Sequence, residues 1–459
     1  MLARDNRKML QGPLLKNIII YTVPIILTGI LQLLFNAADL VIVGQYRGSA
    51  CLAAVGATGA ITNLIVNLFI GLSVGTGVCV AHGLGGNDDD AVHRTVHTAL
   101  PAAIVSGLVL TVVGISMADT FLRWMGTPGN IRPLSTKYMQ IYFGGMTFNM
   151  VYNFCASILR AAGDTKSPLI FLTIAGVINV GMNFMFVKVF GMSVDGVALA
   201  TAISQAVSAV LVVCALIRRT DACRLELKKL HFYKPQLLKM VRIGLPAGIQ
   251  GSLFSISNVM IQSSINSFGD VVIAGNSASQ NIEGFVFTSM NAFHQTAVNF
   301  TGQNVGARQY QRAKKVLWTC LGCVMVVGLG MGLLVRVLGE PLLSIYITDS
   351  PDAIRYGLVR MSFICSAYFL CGMMDVSTGA LRGMGASVQP MIISVLGVCG
   401  IRLLWIYTIF QIPQYHTTQC LYASYVVSWL ITFLCQLTAF LVVYRRHVAD
   451  ARRQMPTTS

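Results

Sequence analysis

Leu159-Arg160-Ala161-Ala162-Gly163-Asp164-Thr165-Lys166-Ser167-Pro168 and Leu381-Arg382-Gly383-Met384-Gly385-Ala386-Ser387-Val388-Gln389-Pro390 decide the fold of this chain. Leu, Arg, Gly and Pro coincide between them at an offset of 222 residues. The same offset pairs Pro24 with Pro246 and Asn36 with Asn258, and Gly85 pairs with Gly306 at 221. Such self-similarity makes the chain two homologous halves, and each quoted stretch closes an apolar segment.

Hydrophobic residues make up 55% of the 459 residues and charged ones 11%, against about 25% charged in a soluble domain. Apolar runs of roughly 20 residues recur throughout, each long enough to cross a hydrocarbon layer of about 30 Å as a helix. Twelve spans are predicted, at residues 15 to 43, 52 to 81, 91 to 117, 134 to 160, 167 to 190 and 195 to 218, then 238 to 266, 273 to 301, 311 to 338, 354 to 380, 388 to 410 and 420 to 444. The expected fold is an all-α polytopic membrane protein with twelve transmembrane helices, in two homologous six-helix bundles around a central cavity. Residues 1–218 form the N-lobe, 219–236 a cytoplasmic linker and 237–459 the C-lobe. Six spans per repeat give both halves the same orientation, an architecture suited to alternating access.

Lys and Arg total 33 against 17 Asp and Glu, which in a soluble protein suggests nucleic acid. Location argues otherwise. With the N-terminus in the cytoplasm, 24 of the 33 fall on the inner side and 8 on the outer, the latter including Arg47, Lys137 and Arg360, while Arg402 sits within a span. The positive-inside rule then places both termini in the cytoplasm of a multi-pass inner-membrane protein. The polar start, with Arg4, Arg7 and Lys8, reads as an amphipathic lead-in on the inner surface rather than a signal peptide.

No constellation points to an enzyme, and no catalytic residue is assigned. Gly71-Leu72-Ser73-Val74-Gly75 fits the hydrolase pattern G-x-S-x-G, but it lies within an apolar helix instead of a strand-turn-helix elbow. Gly71 and Gly75 read better as a close-packing face. His93 and His97 have ligand spacing without the Glu of a zinc motif. Asn87 and the run Asp88-Asp89-Asp90 read as the cap of the third span. The twelve cysteines, including the Cys320–Cys323 pair, are scattered along apolar segments as packing residues. The sequence carries no nucleotide-binding loop, so no cofactor is expected, and the expected energy source is an ion gradient unless a partner supplies it.

An ionised carboxylate near the bilayer centre costs about 2.5 to 3.5 kcal/mol, so each needs a partner, a cavity or a proton. Three stand out: Asp39 in the first span, Glu283 in the eighth and Asp375 in the tenth. Gln32, Asn36 and Asp39 follow i, i+4, i+7 and share a helix face. Asn179 and Asn183 in the fifth span, and Val197 and Thr201 in the sixth, repeat the i, i+4 spacing. Hard oxygen ligands of this kind suit a small alkali cation. The carboxylate alone suits a proton, and amides also serve as plain helix-to-helix bonds. Asn149 and Asn153 share a face of the fourth span and are candidates for substrate contact.

Taken together, Asn36-x-x-Asp39 with Val43-Gly44, the two Leu-Arg-x-x-Gly turns, and Gly302-Gln303-Asn304-x-Gly306-Ala307 resemble the multidrug and toxic compound extrusion (MATE) transporters over nearly the whole chain. The resemblance implies a twelve-helix exporter of cationic and amphipathic compounds driven by Na⁺ or H⁺. It implies an N-lobe cation site at Asp39, with Asn179, Asn183 and Thr201 as companions and Val197 contributing its backbone carbonyl. Gln32 and Asn153 match cavity-lining positions, and Asp375 matches a C-lobe acid. The stretch from Gly248 to Ile265 lacks the seventh-span Glu of several branches, leaving Glu283 as the candidate replacement. Asn at both fifth-span positions leans toward Na⁺.

The expected mechanism is antiport by a monomer, in which the ion and a small cationic or amphipathic substrate compete for the N-lobe or bias its conformation. A flippase for a lipid-linked precursor would instead show a strongly cationic cavity, and a non-transporting sensor a soluble output domain.

Overall fold

The computed structural model describes residues 6–347 and 350–453. Arg4 of the expected lead-in, and both chain ends expected in the cytoplasm, lie outside them. A short helix, Asn6–Leu10, precedes the first span, Leu14–Arg47. The second is Ser49–Gly85 and the third Asp89–Trp124. The fourth comprises Arg132–Gly144 and Met146–Ala161, and the fifth, Lys166–Phe184, ends in a π turn at Met185–Val189. The sixth is Val194–Ile217, the seventh Lys234–Asn266, the eighth Asp270–Gly306, the ninth Tyr310–Val337 and the tenth Pro351–Gly383. The eleventh runs through Val388–Ser394, a π stretch Val395–Gly400 and Ile401–Tyr407, and the twelfth is Thr418–Arg453.

Among the described residues nine of these twelve are long and apolar enough to cross a membrane on composition alone. The exceptions have visible causes. The fourth is interrupted at Gly145, and the seventh and eighth carry many Ser, Asn and Gln, among them the buried Gln250, Ser257, Asn276, Ser279 and Asn304.

The two stretches that revealed the repeat fold into the same turn. Gly163 has φ +89° and Gly385 φ +85°, the left-handed region that a residue with a Cβ enters only at a cost. The amide of Asp164 donates to Leu159 O at 2.9 Å and that of Gly163 to Arg160 O at 3.0 Å. Ala386 donates to Leu381 O at 3.0 Å and Gly385 to Arg382 O at 2.8 Å. Both are Schellman caps, which satisfy the last carbonyls of a helix. The repeat recurs elsewhere: Asn87 and Arg308 both have positive φ at offset 221, as do Gly48 and Gly269. Asp88 caps the third span as expected, accepting from Ala91 N at 2.9 Å.

By packing the chain forms two units. One holds Leu27–Ser252, and the other holds Leu10–Ile26 with the chain from Leu253 onward. The first and seventh spans are thus each shared, and each division falls shortly after Pro24 or Pro246, where proline removes a backbone donor. Within the first unit the expected close-packing face exists. A Cβ on Gly71 would lie 2.2 Å from Gly248 N, and one on Gly75 2.2 Å from Met240 O.

The linker is docked instead of free. Glu226 N donates to His97 Nε2 at 3.0 Å, Tyr233 N to Thr98 Oγ1 at 3.2 Å, and Arg219 pairs with Asp221 at 2.5 Å. Burial pushes the Cys223 thiol up to about 12. Burial opposes the charge of Arg219, yet the hydrogen bond and charge of Asp221 hold its pKa above the usual arginine value. His97 Nδ1 sits 2.7 Å from His93 O, so both ring nitrogens of His97 serve structure.

Candidate functional site

The first unit gathers the expected polar residues of the first, fifth and sixth spans. Asn179 and Asn183 lie one turn apart and are both buried. Asn183 donates its amide to Asp39 Oδ1 and also lies 3.2 Å from Asn179 Oδ1. Asn179 donates to Thr201 Oγ1 at 3.4 Å, and Thr201 donates to Val197 O at 3.0 Å. One chain of contacts therefore links Asp39, Asn183, Asn179, Thr201 and the carbonyl of Val197.

Apolar packing shields this cluster. Ile42, Val43, Cys51, Ala54, Val55, Val187, Val194 and Val197 form a buried core, with Tyr138 and Val180 against it. Arg47 ties the end of the first span to the fifth by donating to Val187 O at 2.6 Å. Among the described residues no base pairs with Asp39. Asn183 Oδ1 is buried without a hydrogen-bond donor, so the cluster holds an orphaned acceptor oxygen beside a carboxylate. That donor set fits a hard monovalent cation. It also fits a proton on Asp39.

The remaining candidates divide. Gln32 and Asn36 are exposed and Asn149 and Asn153 half-buried. Asn153 donates to both Asn149 O and Asn149 Oδ1 at 2.9 Å, so this pair bonds along its own helix. In the second unit Asp375 is half-buried, and among the described residues its carboxylate forms no hydrogen bond or ion pair. Its backbone carbonyl lies 2.7 Å from His294 Nδ1, and His294 Nε2 is 3.4 Å from Arg382 Nη1. Arg382 is buried, and His294 did not stand out in the sequence because a lone histidine in a polar helix carries no spacing signal.

Glu283 is paired with a base. It is 3% exposed, and its two oxygens accept from Arg360 Nε at 2.9 Å and Nη2 at 2.8 Å. Ser279 adds a bond to Oε1 at 2.9 Å. Arg360, expected on the outer side, is itself buried in the tenth span and also donates to Asn276 Oδ1 at 2.8 Å. A carboxylate clamped at both oxygens by a guanidinium offers less to an arriving cation than one bonded only by an amide. The signal was available: an intramembrane acid calls for an intramembrane base, and Arg360 falls inside the predicted tenth span.

Two six-span repeats, with a carboxylate in the first bonded by an amide that leads on to a second amide and a hydroxyl, define a polytopic membrane transporter. The MatE family model matches residues 24–185 and again 246–408, and the chain belongs to that family of multidrug efflux transporters. It is 26% identical over 398 residues to the probable multidrug resistance protein YpnP of Bacillus subtilis, covering 85% of this chain and 87% of that one. It is 20% identical over 437 residues to the multidrug export protein MepA of Staphylococcus aureus, covering 95% and 94%. Among solved structures, a MOP superfamily transporter from Pyrococcus furiosus superposes with a TM-score of 0.89 at 19% identity, over 98% of this chain and 99% of that one. At that identity the likeness shows the fold alone.

Proposed function

We propose that the protein is a cation-coupled antiporter that exports cationic or amphipathic compounds by alternating access. Its coupling ion, Na⁺ or H⁺, binds at Asp39 with Asn179, Asn183, Thr201 and the Val197 carbonyl. The observation that carries this reading is Asp39 itself: an acid in a membrane span, bonded by a neutral amide and by no base. A base would hold the carboxylate ionised in every state. An amide is exchangeable, because turning it about its last side-chain bond replaces N–H by the orphaned Oδ1 and offers a cation one more oxygen.

Gln32, Asn36, Asn149 and Asn153 supply polar contacts for cargo, and Asp375 offers a second carboxylate for an ion. Intramembrane polar side chains that form no hydrogen bond among the described residues, as at Gln32 and Asn36, generally face a solute path. The inner membrane, with both chain ends in the cytoplasm, is the location that the uneven loop charge supports. One chain carries the whole ion cluster, which supports a working monomer. A potential of 100 mV supplies about 2.3 kcal/mol per inward charge, enough to sustain a cargo gradient with one or two ions.

Reconstituted vesicles test the proposal, with a Na⁺ gradient and a pH gradient imposed separately and efflux of a cationic dye as readout. Export above leak under one gradient, lost in Asp39→Asn while the variant still inserts and folds, is expected. Full export by Asp39→Asn would overturn the assignment.

A further inference from the structure

The second unit buries three arginines within its spans, Arg360, Arg382 and Arg402, and the first and last of them are treated differently. Arg360 has its donors engaged by Glu283 and Asn276. Arg402, just past the π stretch of the eleventh span, is 4% exposed and among the described residues makes a single hydrogen bond, from Nε to Ser428 Oγ at 3.0 Å. Among the described residues it has no ion-pair partner. Its guanidinium lies over the Tyr425 ring, 4.0 Å from the centroid, and 5.7 Å from that of Trp429. Tyr368 stacks on Trp429 with centroids 5.3 Å apart. Ring faces offset part of the cost of a buried cation, but they accept nothing from the two terminal amino groups of the guanidinium.

Those amino groups form a planar fork that matches a carboxylate or phosphate through two parallel bonds. The rings around the fork suit a flat apolar body. We propose that Arg402, Tyr368, Tyr425 and Trp429 form a binding site for an aromatic anion, a flat ring system bearing a carboxylate or phosphate group. The site shares no residue with the Asp39 cluster, and it extends the cargo range beyond cations. Only its description as a cargo site rests on the transporter reading; binding itself does not.

The test titrates 2-naphthoate, and 2-naphthylmethylammonium as its charge-reversed match, into purified full-length protein in phosphatidylcholine nanodiscs, reading tryptophan fluorescence. Naphthoate quenches in the wild type, Trp429→Phe removes that quench, and Arg402→Gln weakens affinity about tenfold. Arg402→Lys keeps the charge and loses the fork, so it folds with an affinity between the two and guards against a folding failure. Equal naphthoate affinity in wild type and Arg402→Gln, with both variants melting normally, overturns the site. A quench that disappears when phosphatidylglycerol is added assigns the site to lipid phosphate and overturns the cargo claim. Gradient-driven efflux of a cationic dye by the same preparation reports separately on the antiporter reading.

Discussion

Asn183 reaches from the fifth span to the carboxylate of Asp39 in the first and meets it with an amide, so the only acid of the first span is satisfied by a group that carries no charge. A neutral donor can be displaced by an ion without leaving a buried countercharge behind, whereas an arginine could not. A bound ion stabilises the folded state in proportion to its occupancy, about 2.7 kcal/mol at one hundred times its dissociation constant. Sodium, compared with choline at equal ionic strength, should raise the melting temperature of the wild type. Asn183→Leu should abolish that rise. A shift that survives in Asn183→Leu would remove the amide from the ion site.

Glu283 and Arg360 should behave as one structural unit. Removing one member leaves a buried charge without its partner, which costs about 3 to 5 kcal/mol. Glu283→Gln and Arg360→Met are each expected to lower the melting temperature sharply, and the double variant to recover much of the loss. If Glu283 titrated as a coupling group, Glu283→Gln would instead melt normally and lose ion-driven export.

What the sequence disclosed and what it withheld differ by range. Turn chemistry at Gly163 and Gly385, the span limits, and the shared face of Gln32, Asn36 and Asp39 follow from neighbours within a few positions, where helix geometry fixes who meets whom. The gathering of Asp39 with Asn179, Asn183 and Thr201 was legible only through the family resemblance, since nothing local says that the first, fifth and sixth spans converge. Arg360 escaped notice as Glu283's partner because the pairing joins the eighth and tenth spans. Likewise, the docking of Glu226 on His97 depends on tertiary placement, and neither residue carries a motif that announces it.

Glycines of the second span should separate into two kinds. A Cβ on Gly71 would sit 2.2 Å from the backbone of Gly248, while one on Gly59 meets nothing within 4 Å. Gly71→Ala forces backbone apart and is expected to destabilise by about 1 to 3 kcal/mol. Gly59→Ala gains up to about 1 kcal/mol of helix propensity. Melting curves of the two variants in the same detergent check this; equal effects would mean that the second and seventh spans are not in backbone contact at Gly71.

The paired turns offer a cleaner separation of conformation from packing. At Gly163 and Gly385 the requirement is a positive φ, so alanine costs about 1 to 2 kcal/mol, whereas asparagine, which tolerates the left-handed region, costs less. Because each cap is a local motif with its own two backbone bonds, the single alanine variants should destabilise similarly and the double variant by their sum. Thermal melting of the four single variants and the double alanine variant measures both points. Should asparagine cost as much as alanine at Gly385, the demand there is for space and not for backbone freedom, and the equivalence of the two turns would fail as an energetic statement even though their hydrogen bonds coincide.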